Sequence, residues 1–181
     1  AHITYFFNGG ENQPFQGEER LLINSPKDVK TYDEKPQMSA PEVLDQLLKK
    51  LSDKSVSFFL VNFANPDMVG HTGNYEAAVK AVEYIDHCVG ELMKKIENED
   101  MCMIVTADHG NCDQMVYEDG SPHTSHSDAP VSFSLFAKNL KNLKLKINNE
   151  GQNALKDVAP TVLYLLGLEK PKEFTGNNIF E

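Results

Sequence analysis

Apolar and polar positions along the chain alternate with periods that predict helices interleaved with strands. Ile3-Thr4-Tyr5-Phe6-Phe7 is a β-type run stopped by Asn8-Gly9-Gly10. A long polar stretch from Glu11 to Gln37 reads as irregular loop, with a short strand at 20–23. Ser39-Ala40-Pro41-Glu42 has the form of a capping box with proline in the first turn, and Val43, Leu44, Leu47, Leu48 and Leu51 continue it at helical spacing. The run Val56–Phe63 is apolar almost throughout, the pattern of a strand covered on both faces. A long helix follows from Tyr75, with Ala78, Val79, Val82, Ile85, Val89, Leu92, Met93 and Ile96 on one stripe. Strands are predicted at 101–106 and 130–136, an edge strand at 143–147, and a helix over 157–167 with Asp157 as N-cap and Gly167 as stop. Strands alternating with helices define an α/β class with a mainly parallel sheet, whose ligands sit beyond the carboxyl ends of the strands.

Length and charge narrow this picture. The 181 residues suffice for one domain with a sizeable core. Acidic residues outnumber basic ones 27 to 17, a net charge of −10, and no basic stripe is present to neutralise nucleic-acid phosphates. No apolar run approaches the ~20 residues of a membrane span, and the first residues lack the basic and apolar regions of a signal peptide. The expectation is a cytoplasmic chain that engages neither nucleic acid nor membrane. Cys88, Cys102 and Cys112 form no CxxC, and an odd, scattered count suits a reducing compartment. Cys112 alone lies close to a histidine motif.

The chemistry concentrates where the sheet rule directs attention. Asn65 to Gly73 follows the first apolar run, Thr106 to Asn111 follows the second, and Pro122 to Asp128 precedes the third. Four of the six histidines fall in these loops. Asp67 and His71, four apart, share a face if the segment turns helically; Pro66 and Gly70 argue for a tight turn instead. Asp108 and His109 diverge in extended backbone, but a sharp strand exit at Gly110 lets each reach a cation. His123 and His126 are two candidates in the third loop. Oxygen and imidazole donors without thiolate favour Mn²⁺, Zn²⁺ or Mg²⁺. Singly, each motif is more simply a polar turn; together, at successive strand mouths, they define a metal site. His2 and His87 read as ordinary surface residues, and Glu18, Glu19 and the Lys49-Lys50 and Lys94-Lys95 pairs as solvated charge.

At these residues the chain resembles the cofactor-independent phosphoglycerate mutases of the alkaline phosphatase superfamily. The resemblance rests on His2–Gly10, Gly17-Glu18-Glu19-Arg20, Ser25-Pro26 with Tyr32-Asp33 and Met38-Ser39-Ala40, Asn62–Gly73, Thr106–Asn111 and His123–Val131. It implies an α/β/α sandwich and two Mn²⁺ ions, with Mg²⁺ or Zn²⁺ as alternatives and no need for 2,3-bisphosphoglycerate. It implies Asp67, His71 and a loop histidine as ligands of one ion, and Asp108 and His109 as ligands of the other. The superfamily pattern puts the loop ligand five residues before the Val that opens the strand, which selects His126 before Val131 over His123. The implied reaction interconverts 3-phosphoglycerate and 2-phosphoglycerate through a phosphoserine in a monomeric full-length enzyme.

The departures carry equal weight. The family's nucleophilic Ser and the remaining ligands of the second ion come from the N-terminal end of a longer chain, and no DSxG-like segment occurs here. Arg20 is the only arginine, where the family uses several on the phosphoglycerate. The expectation is that residues 1–181 are the C-terminal part of the metal-binding domain, without the nucleophile or the inserted substrate-binding domain, and inactive alone. Other superfamily phosphomutases, phosphodiesterases or sulfatases, a non-catalytic metal-binding domain and an acidic structural module are the competing classes.

Overall fold

The computed structural model describes residues 2–139, 143–146 and 153–180. They form two compact units, Ala1–Phe136 and Ala137–Glu181. The class is α/β. Within the first unit, α1 (Ala40–Lys50) and α2 (Asn65–Gly70) both pack on the long α3 (Tyr75–Ile96), which also meets β1 (Cys102–Thr106). β1 pairs with β2 (Phe133–Ala137) in a two-stranded sheet.

Two clusters of side chains hold this unit. Ala40, Leu44 and Leu51 from the α1 region close on Cys88, Leu92 and Ile96 of α3, with Phe59, Phe63, Met103 and Phe136 against them. Met38, Val69, Ala77, Ala78, Ala81 and Met115 form the second cluster, joining α2 to the first turns of α3. The buried stripe of α3 therefore runs through its alanines and Cys88, and Val79 and Val82 of the predicted stripe are exposed. Three small residues in one turn let α2 come close, which larger β-branched side chains on that face would prevent. Asn74 caps α3 by accepting from the Ala77 amide at 3.2 Å, after Gly73 turns the chain at a φ of 72°.

Several expectations are corrected. His2–Phe6 is a single wide helical turn rather than a strand, because its backbone bonds close internally, Phe7 N to His2 O at 3.0 Å and Gly10 N to Tyr5 O at 2.9 Å. Residues 20–23 and 56–63 form no strand. Phe59 and Phe63 reach the core while Phe58, Leu60 and Val61 stay exposed, so the latter run is packed from one side among the described residues. Both predicted strands that do form are half-buried and shorter at one end. Ser39 stands at the N-cap position, but its hydroxyl donates to Asn24 O at 2.7 Å and pins the preceding loop instead of capping the helix.

In the second unit, α4 (Val158–Leu165) follows a 3₁₀ turn at Leu155–Asp157. Buried Asp157 does not cap α4; its carboxylate accepts from the Ala154 amide (2.8 Å) and the Asn177 amide (2.7 Å). Gly167, at a φ of 70°, ends the helix as predicted, with Leu168 N bonding Leu163 O and Gly167 N bonding Tyr164 O. Leu145 makes an isolated bridge with Phe180; this is the described part of the expected edge strand, and Ile147 lies outside the described residues. Among the described residues no helix is long and apolar enough to cross a membrane.

Glu18, expected to be solvated charge, instead organises the 8–20 loop. Its carboxylate accepts from Arg20 Nε, from the Phe15 amide (2.9 Å) and from Asn8 Nδ2 (2.9 Å). These bonds, Arg20 first, lower its pKa from 4.5 to about 2. A depressed carboxyl pKa means the contribution to loop order is complete above the ordinary value and is lost as pH falls through about 2. In an NMR titration the Phe15 amide should therefore shift with a midpoint near 2; a midpoint near 4.5 would show the clamp to be absent in solution.

Candidate metal centre

The segment 64–71 turns as an α-helix despite Pro66 and Gly70. Pro66 occupies the first turn, where its missing N–H is no loss, and Gly70 is the last residue of the helix. Because the helix extends through the His71 amide, bonded to Asp67 O at 3.0 Å, Asp67 and His71 project on one face. Asp67 Oδ1 lies 3.0 Å from His71 Nε2.

The loop before β2 brings the third group. His126 Nε2 lies 3.2 Å from Asp67 Oδ1 and 3.2 Å from His71 Nε2. These three atoms make the one group of potential ligands found among the described residues. Ligand bonds of ~2.1 Å imply donor–donor edges of roughly 3.0–3.4 Å in octahedral or tetrahedral coordination, so the triangle has the size of a face around one ion. His71 Nδ1 sits 2.7 Å from the Thr124 carbonyl. A carbonyl only accepts, so Nδ1 carries the proton and Nε2 presents its lone pair toward Asp67 and His126. Three electron-rich atoms in mutual contact need a cation or shared protons between them.

Asp108 and His109 stand beside this triangle. The His109 ring stacks on that of His126, centroids 3.6 Å apart and planes inclined by 17°. His109 Nε2 is 3.7 Å from Asp108 Oδ2, so the strand exit at Gly110 turns the two neighbouring side chains toward each other. His2, read from sequence as an ordinary surface residue, reaches within 3.9 Å of the same Asp108 oxygen. His123 is elsewhere: it is buried against Tyr117, ring centroids 4.6 Å apart, with its Nδ1 unpartnered. His87 stays on the surface of α3 beside Tyr84.

Residues given no role from the sequence hold the ligand loops in place, Cys112 among them, which stands out in the sequence only for its closeness to a histidine motif. Asn111 Nδ2 donates to Asp67 Oδ1 at 2.8 Å. Cys112 Sγ donates to Pro66 O at 2.9 Å, and burial first, then the Asp67 and Asp113 carboxylates, push its thiol pKa up. It is thus a protonated tether and not a thiolate ligand. The bridge between Gly110 and Ser127 (Ser127 N to Gly110 O, 2.9 Å) ties the DHG turn to the His126 loop, and Ser127 Oγ adds a bond to Asp113 Oδ2 at 2.5 Å. The Asp-His-Gly-Asn string was the available signal: its glycine marks a close approach, and its Asn donates to Asp67.

An α/β chain with a carboxylate and imidazoles converging beside its sheet is a metalloenzyme scaffold, and the comparisons agree. Residues 1–170 match the Metalloenzyme superfamily, and the chain belongs to it. Within that class it is 51% identical over 182 residues to the 2,3-bisphosphoglycerate-independent phosphoglycerate mutase of Clostridium acetobutylicum, matching 100% of this chain and 34% of that protein. The like-named protein of Pseudomonas fluorescens is 51% identical over 180 residues, covering 99% and 34%. A crystal structure of Leishmania mexicana phosphoglycerate mutase at low cobalt concentration superposes with a TM-score of 0.89 at 28% identity, covering 99% of this chain and 35% of that one. The chain thus spans about a third of the length of the curated relatives it matches.

A Cβ on Gly110 would overlap Ser127 Oγ and come within 2.5 Å of Asp113 Oδ1. Gly110→Ala should therefore break the Ser127–Asp113 bond and cost about 1–3 kcal/mol in urea unfolding. A change below about 0.5 kcal/mol would mean that the turn yields freely.

Proposed function

We propose that this chain is the metal-holding part of a cofactor-independent phosphoglycerate mutase, which interconverts 3-phosphoglycerate and 2-phosphoglycerate by phosphoryl transfer through a serine. The observation that carries this reading is the triangle of Asp67 Oδ1, His71 Nε2 and His126 Nε2 with edges of 3.0–3.2 Å. It is joined by about 50% identity to mutases along the whole chain.

Asp67, His71 and His126 would hold one ion, and Asp108 with His109 would contribute to a second. Mn²⁺ suits this donor set, with Mg²⁺ or Zn²⁺ as alternatives, and no 2,3-bisphosphoglycerate is required. When bound, the ions neutralise charge on the transferring phosphoryl group and favour the ionised form of the attacking oxygen. The protein's part is placement. Thr124 fixes the tautomer of His71, the stacked rings of His109 and His126 hold the two ligand sets side by side, and a single carboxylate in the triangle leaves most of an ion's charge available to an anionic substrate. Residues 1–181 form the C-terminal part of the metal-binding domain, and the nucleophilic serine and the substrate-binding arginines lie in other parts of the enzyme. The substrate is a small molecule, and the setting is the cytoplasm.

Elemental analysis after equilibration with Mn²⁺ and dialysis should find metal on the parent chain. Asp67→Ala and His126→Ala should each lose it, whereas His123→Ala should retain it. Equal retention in all three variants would remove the triangle as the site. In a coupled assay, the 181-residue chain alone should give no mutase turnover. Measurable turnover would refute the placement of the nucleophile outside these residues.

A further inference from the structure

We propose that Asn111 is a positioning residue for the metal site and that Gly70 is a glycine in order to admit it; this rests on reading Asp67, His71 and His126 as metal ligands. Asn111 is buried, and its amide nitrogen is spent on a single residue. Nδ2 lies 2.8 Å from Asp67 Oδ1 and 3.3 Å from the Asp67 carbonyl oxygen. Both partners only accept, so the NH₂ end of the amide faces Asp67. One amide thereby bonds the carboxylate and the main chain of the same aspartate, which sets the side-chain torsion of Asp67 relative to its own backbone. The oxygen it holds, Oδ1, is the one that meets both histidine nitrogens.

The other end of the amide shows what the arrangement costs. Asn111 Oδ1 is buried with no hydrogen-bond partner, and it lies against the Cα of Gly70. A Cβ there would overlap Oδ1 and stand 2.9 Å from Asn111 Cγ and 3.1 Å from Cys112 Sγ. Gly70 sits in α2 with no positive φ to require it, and alanine would favour the helix by roughly 1 kcal/mol. Its small size is therefore explained by the Asn111 amide, whose unpaired oxygen is tolerated because the nitrogen end orients the carboxylate.

Two variants test this from opposite sides of the contact. Asn111→Ala removes the donor, and Gly70→Ala evicts it while favouring the helix that carries Asp67 and His71. Both should weaken Mn²⁺ and Co²⁺ binding by isothermal titration roughly 10–100-fold, the usual effect of losing a group that orients a ligand. Both should also alter the visible absorption of bound Co²⁺. Cys88→Ala removes a buried thiol from the other core cluster, between α1 and α3, and should leave affinity within about threefold and the Co²⁺ spectrum unchanged. If Asn111→Ala does not fold, Gly70→Ala decides alone. Affinity and spectrum unchanged in the folded variants, or an equal loss in Cys88→Ala, would overturn the positioning role while leaving the ligand assignment intact. A parent chain that binds neither ion would overturn both.

Discussion

Three electron-rich atoms, one carboxylate oxygen and two imidazole nitrogens, meet within 3.2 Å of one another, and most of the local architecture exists to keep them there. Left to themselves such groups would separate and hydrate. They are held by the backbone of α2, the Thr124 carbonyl behind His71, the Asn111 amide on Asp67, and the ring of His109 beneath His126. Under the proposed function, a site built in this way would be prepared for a cation before one arrives, which lowers the cost of ordering the ligands on binding.

The close packing follows from the same demand. α2 has only six residues and makes little of its own stability, so it is clamped from two sides. Alanines on α3 admit it from one side, through Val69 and Met68. On the other, Gly70 and Pro66 meet Asn111 and Cys112 of the strand-exit turn. Under the proposed function the net charge of −10 takes on meaning. A strongly acidic chain is an unfavourable host for a phosphorylated anion unless cations supply the missing charge locally, and the converging donors are where cations would do so.

Much of the helical architecture was legible in the chain. The 3.6-residue period marked α1, α3 and α4, and Gly167 marked a stop, because a helix carries its signal within consecutive residues. Strands were less legible, since a strand requires a partner that sequence does not display. The apolar runs at 3–7 and 56–63 read as strands and are not, while β1 and β2 formed where their mutual pairing is satisfied. Caps failed for a related reason. Ser39 and Asp157 stand in capping positions, but their side chains found partners at Asn24, Ala154 and Asn177. Val79 and Val82 looked like core on hydrophobicity alone, and lost that place to alanines small enough for close helix packing.

The sequence by itself determined the chemical inventory: Asp and His at three loops, thiols without a chelating pattern, and acid in excess. It also put Asp67 and His71 on one turn, since four residues of separation is a local geometric fact. Tertiary structure decided the rest. That the His126 loop reaches the first pair, that His2 approaches Asp108, and that Asn111 must face Gly70 all depend on chain segments tens of residues apart. Such meetings are set by which surfaces pack, and packing is a property of all the contacts together, whereas spacing belongs to the chain alone.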